Sequence, residues 1–133
     1  MLTISQLLRY TFPVAKRNSA LVSLSHIRRG VNKVKQAKII AKAQTHDQRG
    51  RTAQVYTCSC TALDAKKLFT GPVKVSCSCD YFMYTCEYAL NRQDAADILY
   101  SNGEPPNDKN PTLVPSVCKH LYTMLSDIKS GQV

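Results

Sequence analysis

The sequence predicts an α+β fold. A small antiparallel β-sheet (a hairpin plus a third strand) is expected to carry two C-terminal helices, clasped by a metal site, with a basic N-terminal arm and short helix in front. Three observations carry this reading. Residues 52–61 and 72–79 alternate in the way strands do, with β-branched and aromatic residues enriched. Residues 117–129 place Leu121, Met124, Leu125 and Ile128 at helical spacing. Between them lie two paired sets of soft ligands, Cys77-Ser-Cys79 and Cys118-Lys-His120.

Taken in order, residues 3–10 read as a short helix with Thr3 or Ser5 as its cap, and Pro13 is expected to end it. The run 20–27 is apolar but too short for periodicity to choose between helix and strand, and Gly30 breaks it. Residues 34–44 and 52–61 flank a turn-rich stretch and are expected to pair as a hairpin, with His46 at its exposed tip. Residues 64–69 read as one helical turn or a loop. The next strand puts Val73, Val75, Cys77 and Cys79 on one buried face. Asp80 is placed to cap a helix over 81–91, residues 94–100 could add a further turn, and 101–115 form a proline-rich excursion. The terminal helix follows, with Cys118 and His120 in its first turn, where the helix dipole favours a thiolate.

The four ligands matter most for chemistry. Three cysteines and a histidine make the donor set of a tetrahedral zinc site, and Lys119 would offset part of its negative charge. Six cysteines could also be a disulfide framework or buried small hydrophobes. A Cys-x-Cys pair is too tight for an unstrained disulfide with itself. The first residues lack the apolar core of a secretory signal, so a reducing compartment is expected, where such pairs read as metal ligands. An iron–sulfur cluster is the alternative, with Cys86 replacing His120 to complete four thiolates. Cys58 and Cys60 are expected to be buried thiols without a metal. No cysteine has the separate histidine and orienting acid of an activated nucleophile. With no paired-carboxylate, triad or phosphate-loop signature either, an enzyme is not expected.

Charge divides the chain. Eleven of the eighteen Lys and Arg fall within residues 1–51, against one acid, Asp47, whereas the remainder is nearly neutral. A basic arm over residues 1–33 and a metal-binding domain over 34–133 are therefore expected. Within the arm, Leu7, Leu8, Arg9, Lys16, Arg17, Arg28 and Arg29 are the candidate partner-binding residues. Apolar groups interspersed with bases suit a protein neighbour, with the arm ordered only on that neighbour. The alternative is that the basic half tracks the phosphates of a nucleic acid. No run is long and apolar enough for a membrane span.

The hairpin, the strand leading into Cys77-x-Cys79, the helix, and Cys118-x-His120 at a helix start together resemble the SWIM zinc-binding module over roughly residues 34–129. That resemblance implies Cys77, Cys79, Cys118 and His120 as zinc ligands. Cys58, Cys60, Cys86 and the long proline-rich spacer depart from its pattern. The segments Cys77-Ser-Cys-Asp-Tyr-Phe, Cys86-Glu-Tyr-Ala-Leu, Tyr100-Ser-Asn-Gly-Glu-Pro-Pro, Asn110-Pro and Cys118-Lys-His-Leu are similar to small SWIM-like virion components of tailed bacteriophages. This likeness implies a non-enzymatic structural protein of the tail, baseplate or neck. It would dock to other virion structural proteins and reside in the virion, after assembly in the host cytoplasm.

Overall fold

A computed structural model describes residues 1–46, 54–99, 103, 105–107 and 109–131. The fold is α+β. Its centre is a four-stranded antiparallel sheet in the order β1 (Val22–Val31), β2 (Ala37–Thr45), β3 (Tyr56–Ala62), β4 (Val73–Cys77). The expected hairpin is β2 with β3, in which Ile40 faces Ser59 and Ala41 faces Cys58. The run at residues 20–27, ambiguous by periodicity, enters a strand. That strand pairs with β2 from Val22 opposite Thr45 to Val31 opposite Ala37, so the sheet has one strand more than the sequence predicts.

Alternation fixes what each face does. Ile39, Ala41, Ala43, Cys58, Cys60, Ala62, Val73, Val75 and Cys77 point inward and are buried. Their neighbours along each strand point the other way and are only partly covered or exposed. The inner face is covered by the last helix, α4 (Lys119–Ser130), which packs against all four strands. Leu121, Met124, Leu125 and Ile128 bury there, as their spacing predicts.

The N-terminal segment belongs to this core. Thr3 caps α1 (Ile4–Tyr10) in a capping box with Gln6, each side chain accepting the other residue's backbone N–H. Pro13 does not simply end that helix. It occupies the first turn of a second one, α2 (Pro13–Asn18), where its missing N–H costs nothing. Both helices pack on α4. Leu2 bridges to Val73 at the outer edge of β4, and Leu2, Ile4 and Leu7 join the core. Leu7 is fully buried, which corrects its reading as a partner contact: its own core takes it. Leu8 packs partly against the same core. The expectation that residues 1–33 order only on a neighbour gives way for the same reason. Residue 33 lies in the short turn joining β1 to β2. Arg9, Arg17, Arg28 and Arg29 remain exposed and Lys16 partly so.

Two local expectations change. Residues 82–86 form a wide helical turn of the i→i+5 type, closed by Glu87 N–H donating to the Phe82 carbonyl, before α3 (Glu87–Arg92). Residues 94–99 add no helical turn. Asp94 has a positive φ of 57°, and the chain turns so that the Ala95 carbonyl accepts from Val75 N–H at the β4 edge. Residues 65–67 form a single 3-10 turn capped by Asp64.

Among the described residues of the proline-rich excursion, the buried side chain of Asn110 ties it down. Asn110 donates to the carbonyls of Thr85 at 3.0 Å and Val114 at 2.8 Å, and accepts from Val114 N–H at 2.9 Å. It delivers the chain to Ser116 and Val117. There Ser116 Oγ accepts from Phe12 N–H, and Thr11 Oγ1 accepts from Val117 N–H. Those two bonds fix where α4 begins.

Candidate metal centre

Cys77 ends β4, and Cys79 follows where the strand gives way to the wide helical turn. Cys118 is the N-cap of α4 and His120 sits in its first turn. These four residues, the set the sequence predicts, are brought together. Their Sγ and imidazole nitrogen atoms all lie within 4.8 Å of one another, and none is more than 3% exposed. Cys86 is fully buried but stands outside the mutually close group, so the imidazole, not a fourth thiol, completes the cluster among the described residues.

Cys79 and Cys118 both sit at helix starts. Phe82 N–H donates to Cys79 Sγ at 3.4 Å, and Leu121 N–H donates to Cys118 Sγ at 3.5 Å. Each sulfur therefore occupies the place of an N-cap oxygen, accepting an orphan helix N–H while remaining free to ligate. Cys79 fills the capping role expected of Asp80, which is instead drawn into the first helical turn. Positive helix ends at two of the three sulfurs stabilise thiolate charge.

His120 is oriented by two contacts. Its Nδ1 lies 3.8 Å from Cys77 Sγ, and its Nε2 lies 3.2 Å from Thr45 Oγ1 at the end of β2. With Nε2–H donating to Thr45, the Nδ1 lone pair faces the sulfurs, the arrangement of a metal-bound imidazole with its outer partner. The Tyr56 ring packs 5.1 Å from the imidazole and closes that side. Cys58, opposite Cys77 in the β3–β4 ladder, brings its Sγ to 3.4 Å from Cys77 Sγ. Its thiol donates to Cys77 Sγ. The sequence alone places Cys58 only as a buried thiol. The missing signal is the register of an antiparallel pair, in which residues of like face meet.

Electrostatics support a cation. Hydrogen bonds from the Cys118 and Cys77 thiols, then His120 and Phe82 N–H, hold Cys79 far below the usual thiol range despite its burial. Burial, reinforced by the neighbouring Cys77 and Cys79, pushes Cys118 up. Burial alone pushes Cys60 up to about 12. Three sulfurs this close and this dry cannot all ionise without a cation among them, and a divalent ion would displace the protons. The geometry fits one. Zinc–sulfur bonds of about 2.3 Å give tetrahedral edges of about 3.8 Å, so the ligand atoms need draw together by about 1 Å at most.

Thr45 offers a mild test. Thr45→Val keeps shape but removes the acceptor of Nε2–H, and outer partners of ligating histidines typically contribute about 10–100-fold in metal affinity. Weakening within that range is expected in a competition titration against a chromophoric chelator, with the fold intact by circular dichroism.

The architecture and the cluster define a small α+β domain with a buried Cys3His cluster that could hold a metal ion. No family model, curated protein or solved structure matches the chain.

Proposed function

We propose that this chain is a zinc-stabilised, non-enzymatic structural protein of a tailed-phage virion, docking to neighbouring subunits of the tail, baseplate or neck. The observation that carries the non-enzymatic part is the closure of the site. All four positions of a tetrahedral ion would be taken by Cys77, Cys79, Cys118 and His120, each buried, which would leave no position for water or substrate. Zinc is preferred over an iron–sulfur cluster because an imidazole completes the set and Cys86 lies outside it. The SWIM-like pairing of ligands and the phage-like segments support the virion assignment.

Docking draws support from the helical side of the molecule. Phe12, Pro13, Val14, Tyr81, Tyr84 and Thr85 line an open groove of about 620 Å³, in which Tyr84 is 62% and Val14 43% exposed. Exposed aromatics around a depression are the kind of surface that anchors protein interfaces. The exposed bases Arg9 and Arg17 would serve as rim contacts. The test is quantitative mass spectrometry of gradient-purified particles, with metal analysis of the isolated chain. A fixed copy number per particle and one zinc per chain are expected, and Tyr84→Ala should lower incorporation. Absence of the chain from purified particles would remove the virion reading.

A further inference from the structure

The sheet has a second face on which no described element packs. The helices lie on the inner side, and the outward positions of the four strands alternate with the buried ones. Ladder partners identify the outward set. Arg28 faces Ile40, Gly30 faces Lys38, Ser25 faces Lys42 and Ser23 faces Gln44 across β1 and β2. Lys42 faces Thr57, Ile40 faces Ser59 and Lys38 faces Thr61 across β2 and β3, and Thr61 in turn faces Lys74 on β4. Bases therefore stand on three of the four strands, interleaved with serine and threonine. No outward strand position carries an acid.

Their charges are largely unspent. Lys74 Nζ lies 3.1 Å from Asp97. Among the described residues, Arg28, Lys38 and Lys42 have no carboxylate partner, and Lys42 Nζ instead donates to Thr57 Oγ1 at 2.8 Å. With strands about 4.8 Å apart and about 3.3 Å per residue, the patch is about 14 Å across and about 13 Å long.

We propose that this outer face binds the phosphate backbone of double-stranded nucleic acid without reading its sequence. Lysine, arginine, serine and threonine are the side chains that contact phosphates, and they make up nearly the whole face. An acidic protein partner fits less well, because interface cores are built from aromatic and apolar side chains and here Ile40 stands alone among the bases, with only Val31 and Ile27 exposed along the β1 edge. A single strand fits less well too. The one tyrosine in these strands, Tyr56, faces inward against His120, and the only other ring in the four strands is the His26 imidazole in the β1 bulge, which is too little for successive bases to stack on. The surface lies on the opposite side of the sheet from the metal cluster, and the inference does not rest on the virion reading.

The experiment measures binding of the full-length, metal-loaded chain to a fluorescent duplex of arbitrary sequence between 50 and 200 mM salt, as about the range over which such binding weakens steeply. Affinity that falls linearly on logarithmic axes is expected. The triple variant R28Q/K38Q/K42Q should bind at least ~10-fold more weakly at the lowest salt, with the slope shallower by about 0.9 for each phosphate no longer neutralised. K38R/K42R should bind as the parent does, and Ser59→Asp, which places one negative charge mid-face, should weaken binding. R9Q/R17Q, which removes bases elsewhere, should leave it unchanged. Unaltered metal content in each variant verifies the fold. No duplex binding at the lowest salt, equal binding by the triple variant, or preferential binding of polyglutamate over the duplex would each overturn the assignment, the last in favour of an acidic protein partner.

Discussion

Cys118→Ser is expected to unfold the C-terminal half of the domain and abolish stoichiometric metal binding. Cys118 has two tasks at one atom: its Sγ belongs to the cluster that could hold a metal and is the N-cap acceptor for Leu121 N–H. Serine could keep the cap but is a poor ligand for a soft site. The loss is therefore the metal's, and structural zinc in small domains contributes roughly 10 kcal/mol or more of apparent binding energy near neutral pH. That exceeds the typical total stability of about 5–15 kcal/mol at its lower end. The consequence should centre on α4, because α4 covers the inner face of the whole sheet. Zinc per chain by mass spectrometry should fall to near zero, with loss of a cooperative thermal transition. Chelation of the parent should reproduce the result, and Cys60→Ser, at a buried thiol outside the cluster, should leave metal content at parent levels. A Cys118→Ser protein that kept one metal and the parental transition would show that the ligand set is wrong.

Asn110→Ala is expected to cost about 3 kcal/mol, large for a residue that touches neither the metal nor the sheet. One side chain here makes three hydrogen bonds, and its removal leaves the buried Thr85 carbonyl and the part-buried Val114 carbonyl and N–H to find other partners. Each bond contributes about 1 kcal/mol, and an orphaned buried group costs at least as much. Asn110→Asp should be no milder, because a carboxylate cannot donate to two carbonyls. Urea denaturation with the metal held in excess is the measurement, so that the tether is read separately from the ion. A change under about 0.5 kcal/mol, the scale of an ordinary surface substitution, would show that the loop is not held by this residue.

Much of this is legible in the sequence, for identifiable reasons. The ligands declare themselves because each pair is local: Cys77 and Cys79, like Cys118 and His120, are two residues apart, so one strand end and one helix start suffice to aim them. The terminal helix is legible because its apolar residues repeat on one face, and α1 because Thr3, one of the two caps the sequence offers, precedes it. β1 is not. Its apolar residues thin out after Ile27, and the rest of the strand is held by backbone pairing with β2, which leaves no hydrophobic signature. The burial of Leu7 is hidden for a related reason, since charge draws residues 1–33 together as an arm while packing joins them to α4. Thr45 and Cys58 cannot be read as neighbours of the cluster without the register that brings distant strands to it. Asp80 is a reasonable cap by composition, but a sulfur one residue earlier takes the position.

The bonds that tie Thr11 and Phe12 to Ser116 and Val117 span more than a hundred residues, and Thr123 Oγ1 adds another by donating to the Ser19 carbonyl. Such contacts make for slow folding, because loop closure must be achieved before they stabilise anything. The sheet can assemble from nearby strands, but its apolar inner face stays uncovered until α4, the last element, arrives. A metal ion already held by Cys77 and Cys79 would shorten that search by capturing Cys118 and His120. Refolding should thus be faster and less prone to aggregation with zinc present from the start than with zinc added after denaturant is removed.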